Sequence, residues 1–171
     1  MDATMDEKMQ AKLEAEQVVK ELVARARVAQ KEFEKCDQAQ VDEACREPEK
    51  GLVLVAKPMG VVGAVTPTTN PVVTPMCNAM FALKGRNAII ICPHPRSRKC
   101  SGETVRLMKE ALAGLDYVPQ DIIQIIEVPS VELSSQVMKQ CDVCISTGGM
   151  GMVRAAYASG KPAFGVGAGN V

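Results

Sequence analysis

Past Gly51 the chain alternates short, uninterrupted apolar runs with segments of helical length, and this alternation restricts the fold more than any other feature. Runs such as Ala88-Ile89-Ile90-Ile91 and Ile122-Ile123-Gln124-Ile125-Ile126 carry almost no polar residue. That is the pattern of strands covered on both faces, whereas a half-solvated strand alternates apolar and polar positions. The pattern predicts strands over residues 61–66, 87–92, 122–128, 143–146 and 163–166. Helices are predicted over residues 74–84, 102–113, 131–140 and 151–159, with Ser130 as the N-cap of the third. Residues 52–56 are also β-rich, set apart by the turn signal Lys57-Pro58-Met59-Gly60. Repeated βα units of this kind predict an α/β fold, a parallel sheet with helices on both faces.

Residues 3–35 predict one long charged helix ahead of that sheet. Met5, Met9, Leu13, Val18, Leu22, Ala26, Ala29 and Phe33 form an apolar stripe at helical spacing. Such a stripe needs cover, so the helix is expected to dock on the body or on a partner subunit. Asp37 and Gln40 have the spacing of a capping box and predict a second short helix. The organisation expected is a helical arm, residues 1–46, followed by one domain, residues 47–171.

Charge and aromatic content exclude several classes of function. Lys+Arg and Asp+Glu number 20 each, so the chain lacks the basic footprint of a nucleic-acid or membrane-surface binder. Aromatics make up 3% with no Trp, which removes the platforms that stack single-stranded bases. No apolar run approaches the about 18 residues of a membrane span, and the opening Met1-Asp2-Ala3-Thr4 is not a secretory signal. Seven cysteines scattered through polar and apolar stretches suit a reducing cytoplasm, most of them as small buried hydrophobes.

Ligands of a parallel sheet bind beyond the carboxyl ends of its strands, so the loops there carry the functional argument. The first is Thr66-Pro67-Thr68-Thr69-Asn70-Pro71. Its prolines hold three hydroxyls and an amide in a rigid turn, which can hydrogen-bond a ribose, phosphate or carbonyl, or simply cap the next helix. The second is Cys92-Pro93-His94-Pro95-Arg96-Ser97-Arg98-Lys99, with the chain's single histidine. No nucleophile or further metal ligand stands beside His94, which favours a structural contact, and its basic neighbours suit either phosphates or solvent. The third is Thr147-Gly148-Gly149-Met150-Gly151, a glycine turn between strand and helix. That context suits a pyrophosphate, without the full dinucleotide fingerprint, and it also suits a plain tight turn. Cys141 and Cys144 have redox-pair spacing, but Cys144 falls inside an apolar strand, so both read as structural thiols. No metal site is expected.

Taken in order, these residues resemble the CoA-acylating aldehyde dehydrogenases. The match runs through Gly60-Val61-Val62, Thr66-Pro67-Thr68-Thr69-Asn70-Pro71, Arg86-Asn87-Ala88-Ile89-Ile90 and Pro93-His94-Pro95. It continues through Pro129-Ser130-Val131-Glu132-Leu133, Thr147-Gly148-Gly149, residues 155–163 and the closing Gly165-Val166-Gly167-Ala168-Gly169-Asn170. Similar sequences include the aldehyde dehydrogenase half of aldehyde–alcohol dehydrogenases and the acylating succinate-semialdehyde and sulfoacetaldehyde enzymes. The resemblance implies a Rossmann-like domain binding NAD or NADP, and oxidation of an aldehyde to an acyl-CoA through a cysteine thioester. CoA is then the co-substrate, and the complete enzyme a homo-oligomer.

By the same resemblance, Thr66, Pro67, Thr68, Thr69 and Asn70 lie at the nicotinamide end, with Asn70 or Thr69 near the reacting carbonyl. Thr147, Gly148 and Gly149 form the pyrophosphate turn, and Gly167 is a nucleotide-side glycine. The Cys92-Pro93-His94 segment stands where hydrolytic relatives hold the adenosine ribose with a lysine, so His94 joins the cofactor set and the choice between NAD and NADP stays open. Those relatives carry a glutamate base where this chain has Val166, which favours a thiol acceptor over water. The family nucleophile matches none of the seven cysteines, so this chain alone is expected to be inactive. Helices usual in the family between Cys45 and Glu47 are missing, which with the abrupt end predicts a fragment or an internal deletion. The rival expectations are a module that binds NAD without turnover and a folded fragment that binds nothing.

Overall fold

The computed structural model describes residues 5–35, 46–47, 52–53 and 57–167. Helix α1 spans Met5–Phe33. Two short antiparallel strands, β1 (Arg46–Glu47) and β2 (Leu52–Val53), form a sheet of their own. The main sheet contains β3 (Val61–Thr66), β4 (Ala88–Pro93), β5 (Ile123–Ile125), β6 (Val143–Thr147) and β7 (Ala163–Val166), in the order β5-β4-β3-β6-β7. Every pairing in it is parallel. Between the strands run α2 (Val73–Lys84), α3 (Arg98–Leu112), α4 (Val131–Gln140) and α5 (Met150–Tyr157). The second short helix expected from Asp37 lies outside the described residues.

The fully buried Ile89, Ile90 and Ile91 of β4 place the core inside the sheet, as an unbroken apolar run requires. Right-handed crossovers then put α2 and α3 on one face and α4 and α5 on the other. Two glycines mark the second face. A Cβ on Gly63 would meet Val137 and Cys141 of α4 and its cap, and one on Gly165 would meet Val153 and Tyr157 of α5. Gly60, at φ 121°, opens β3 under the Asp142 carboxylate, where a side chain would collide.

Helix α1 docks on the second face, along α4 and across β4. Its buried side is Ala15, Val19, Val23, Ala26, Ala29 and Phe33, while Met9, Leu13 and Val18 stay exposed. The expected stripe is therefore wrong in the N-terminal half of the helix. Small residues face the sheet because they let the helix approach closely, and the larger ones rotate outward. Polar clamps set that rotation. Arg27 makes two 2.9 Å bonds to Asp142, whose Oδ2 also accepts the Val61 N–H at 2.8 Å. Arg25 pairs with Asp121, and Gln124 Nε2 donates to the Leu22 carbonyl.

Two further expectations need correction. Helix α3 begins at Arg98, not residue 102, because His94 caps a 3-10 turn over Pro95–Ser97 that winds directly into it. Strand β5 is only Ile123–Ile125, not 122–128, because Gln120–Ile122 is another 3-10 turn and the strand is an edge with one neighbour. The other strands of the main sheet and the other helices agree with expectation to within one or two residues, and Ser130 Oγ accepts the Leu133 N–H at 3.1 Å as the N-cap of α4. Strand β1 was not expected, and residues 54–56 of the β-rich segment lie outside the described residues. Among the described residues, no helix is long and apolar enough to cross a membrane, and no cluster of three His, Cys, Asp or Glu could hold a metal ion.

Candidate functional site

From β3 the chain moves outward through β4 to β5, then returns to β6 on the other side of β3. Helices that leave β3 and β6 for opposite faces part at this point and open a crevice over the strand ends. A cavity of about 680 Å³ lies there. The residues that the resemblance assigned to the cofactor all line it: Thr66, Pro67, Thr68, Thr69, Asn70, His94, Thr147, Gly148, Gly149 and Gly167. They converge because carboxyl ends of parallel strands share one edge of the sheet.

Three helix starts surround the cavity. The loop after β3 turns straight into α2, with the Thr74 N–H on the Asn70 carbonyl, and Ser101 of α3 braces it through Pro71 O at 3.0 Å. Ser130 caps α4, but no side chain caps α2 or α5. The N–H groups that open α5 are left for solvent or a ligand, and the positive end of its dipole favours an anion, whereas at α2 the Thr74 N–H is already taken and Pro75 has none. Among the described residues no Asp, Glu, Lys or Arg lines the cavity, so backbone dipoles dominate the field they set there. Gly149 precedes α5 with open space around it, so a side chain there would meet only what occupies the cavity.

Two polar side chains define the walls. Thr66 is 2% exposed, and its Oγ1 has no hydrogen-bond partner among the described residues. A buried hydroxyl left unpaired costs about 1–3 kcal/mol, and Ser146 Oγ on the neighbouring strand is unpaired in the same way. His94 Nδ1 accepts the Arg96 N–H at 3.2 Å. With Nδ1 used as an acceptor, the neutral ring carries its proton on Nε2, which can donate. His94 is thus both the structural cap that the sequence favours and part of the cavity wall.

Sequence reasoning missed Val131, Ser134 and Met152 in the lining. Ser134 had a signal: it stands four residues after the cap Ser130, on the same helix face. Val131 and Met152 had none, since apolar residues in first helical turns read as core.

Comparison with known proteins decides the family. The aldehyde dehydrogenase family model matches residues 2–161. The chain belongs to the aldehyde dehydrogenase family. It is 60% identical over 124 residues to the acetylating succinate-semialdehyde dehydrogenase of Clostridium kluyveri, a match covering 72% of this chain and 27% of that one. It superposes on an acetylating aldehyde dehydrogenase from Geobacillus thermoglucosidasius with a TM-score of 0.80 and 32% identity, covering 94% of this chain and 48% of that one. A Rhodopseudomonas palustris propionaldehyde dehydrogenase with bound propionyl-CoA gives 0.77 at 26% identity, with 89% and 46% covered. The match thus spans about a quarter of the length of the Clostridium kluyveri enzyme and about half of each solved structure.

For an aldehyde dehydrogenase chain the placement of its thiols matters. None of the described cysteines lines the cavity. Cys92 is buried, and that burial, helped by Cys144, pushes its thiol up to about 12. Cys141 and Cys144 lie 3.4 Å apart beneath Gly63. Their mutual hydrogen bond, ahead of burial, raises Cys141, while Cys141, Ser159 and Lys161 pull Cys144 down. At 0% and 1% exposed, neither sulfur meets solvent. Among the described cysteines, native-state alkylation is therefore expected to label the exposed Cys100 first and the half-buried Cys77 more slowly, leaving Cys92, Cys141 and Cys144 untouched until denaturant is added. Peptide mass spectrometry checks this, and early labelling of Cys144 contradicts it.

Proposed function

We propose that this chain is the nucleotide-binding part of an oxidoreductase that converts an aldehyde to an acyl-CoA with NAD or NADP and CoA. The observation that carries the reading is the cavity at the switch point, where polar residues 66–70 meet the glycine turn 147–149 under the uncapped start of α5. The donor set fits a dinucleotide. Uncapped N–H groups suit a pyrophosphate, the unpartnered Thr66 hydroxyl suits a ribose or amide, and Gly149 leaves room for close approach. When bound, the nicotinamide supplies the hydride acceptor.

The chain's own residues then orient and exclude. Thr147 and Gly149 hold the diphosphate, Gly148, whose N–H is held by the Val166 carbonyl, leaves room beside it, His94 Nε2 donates at the adenosine end, and Gly167 leaves clearance on the nucleotide side. Asn70, at the mouth of the loop, donates to the aldehyde oxygen as charge develops there. Val166 lines the cavity but can accept no proton, so an acyl group on a cysteine of the complete enzyme waits for a thiol. In this reading residues 1–46 are a docking arm on the 47–171 domain, and the complete protein is a soluble homo-oligomer of the cytoplasm.

Gly149→Val tests the assignment cleanly, because the new side chain meets no protein atom within 4 Å. Calorimetry is expected to show NAD affinity reduced at least about tenfold, the cost of a collision at the diphosphate, with the melting profile unchanged. Unaltered affinity in a folded variant overturns the site. A second reading, a module that binds the dinucleotide without turnover, is favoured for the isolated chain by the absence of a described cysteine from the cavity wall. Incubation with aldehyde, NAD and CoA separates the two: NADH formation abolished by replacing one cysteine excludes the module.

A further inference from the structure

Cys141 and Cys144 have no part in the nucleotide reading, since neither lines the cavity. Cys141 is the C-cap of α4, and Cys144 follows it in β6. The turn between helix and strand folds the chain back so that the two sulfurs stand 3.4 Å apart. Both reach the Met138 carbonyl, Cys141 Sγ at 3.6 Å and Cys144 Sγ at 3.3 Å. Gly63 on the central strand leaves the space that the pair fills, because a Cβ there would come within 2.9 Å of Cys141 Sγ.

The two sulfurs are chemically unlike. Cys144 Sγ also lies 3.8 Å from Ser159 Oγ, in the turn that follows α5 and leads to Lys161. The bond from Cys141, then that hydroxyl and the Lys161 ammonium, favour the Cys144 thiolate, while the same bond and burial keep Cys141 protonated. A thiolate beside a neutral thiol is the arrangement of an attacking sulfur and the partner that resolves it. Each sulfur also lies next to a surface turn, Cys141 beside Asp142 and Cys144 beside Ser159, both half-buried. Hydrogen peroxide is little larger than water and enters on a brief local opening of such a turn, whereas an alkylating reagent needs a wider approach. Cys92 supplies the contrast: it is equally buried and its thiol is raised, but no hydrogen bond joins it to another sulfur among the described residues.

We propose that Cys141 and Cys144 form a site of reversible oxidation, which a peroxide closes to a disulfide. The Cys144 thiolate attacks one peroxide oxygen, the O–O bond breaks, and the departing hydroxide takes up a proton to become water. Cys141 then displaces the hydroxyl of the sulfenic acid left on Cys144, and its own proton departs with that hydroxyl as a second water. Two thiols are oxidised and one peroxide is reduced, giving one disulfide and two waters. Closure draws the sulfurs from 3.4 Å to about 2.05 Å and withdraws both S–H groups from the Met138 carbonyl. The end of α4 is then tied covalently to β6, and Cys144 is spared oxidation beyond the sulfenic acid.

The test exposes the folded, reduced 171-residue chain to hydrogen peroxide without denaturant. Free thiols are then blocked in denaturant and the peptides are weighed. The peptide holding residues 141–144 is expected to lack two hydrogens, to carry no blocking group at either cysteine, and to regain both thiols in dithiothreitol. That change is expected to run at least about tenfold faster than any oxidation of Cys92. Cys141→Ser is expected to stop at a sulfenic acid on Cys144, trapped by dimedone, and Cys144→Ser to leave Cys141 a free thiol. Blocking of both Cys141 and Cys144 after peroxide treatment overturns the site. Oxidation of Cys92 at the same rate as the pair also overturns it, since that pattern marks unfolding, and so does a disulfide from Cys144 to any other cysteine. No nucleotide enters the measurement, so its outcome is separate from that of the nucleotide reading.

Discussion

Gly63→Val is expected to destabilise the chain by about 3 kcal/mol, a large share of the roughly 5–15 kcal/mol that holds a domain folded. Gly63 lies mid-strand in β3, the centre of the five-stranded sheet, paired with Ile90 on one side and Cys144 on the other. Even a single Cβ there would stand 2.8 Å from Val137 Cγ1 and 2.9 Å from Cys141 Sγ, both atoms of residues with no exposure. The strand cannot yield without breaking two ladders, so α4 must move outward, and α1, packed along α4, must move with it. Urea unfolding followed by circular dichroism measures the loss. Gly102→Ala supplies the contrast: this glycine lies inside α3 with nothing within 4 Å of its Cβ position. Alanine there is expected to stabilise by about 0.5–1 kcal/mol through helix propensity. A Gly63→Val variant with the parent's midpoint contradicts the packing described.

Val166→Glu, placed in a complete enzyme carrying these residues, is expected to raise the ratio of free acid to acyl-CoA by about 10² or more. General bases contribute about 10²–10⁴-fold, and some of that range is lost when the carboxylate is not ideally placed. Val166 is 53% exposed, lines the cavity and stands opposite Thr147 in the sheet, with its carbonyl holding the Gly148 N–H at 3.0 Å. A longer side chain there can extend into the cavity without displacing the core. No carboxylate of the described residues lines the cavity, so none of them can accept a proton from water there. Product partitioning at fixed CoA is the measurement. If the unmodified enzyme already releases mainly free acid, the acylating reading fails at its centre.

The candidate site was largely legible before any coordinates, and the reason is topological. Once buried strands imply a parallel sheet, the residues after β3, β4 and β6 must meet at one edge, and Thr66, His94 and Gly149 do line a single cavity. Ser130 was legible because a cap is a local bond between a side chain and the turn it starts. Other contributors left no such trace. Asp142 clamps Arg27 and the Val61 N–H across separations of 115 and 81 residues, and nothing near Asp142 in sequence announces either partner.

By itself the sequence determined the class of fold, the order of strands and helices along the chain, and which loops end up together. Each of these follows from local patterns, namely apolar period, turn chemistry and strand direction. Tertiary structure alone decided the rotation of α1, where Ala15, Val19 and Val23 displaced Met9, Leu13 and Val18 from the interface. It also decided the early start of α3 on the His94 cap and the shortness of β5 at the sheet edge. Those outcomes depend on how closely two surfaces can approach and on which distant polar groups meet, and apolar spacing along one segment carries no record of either.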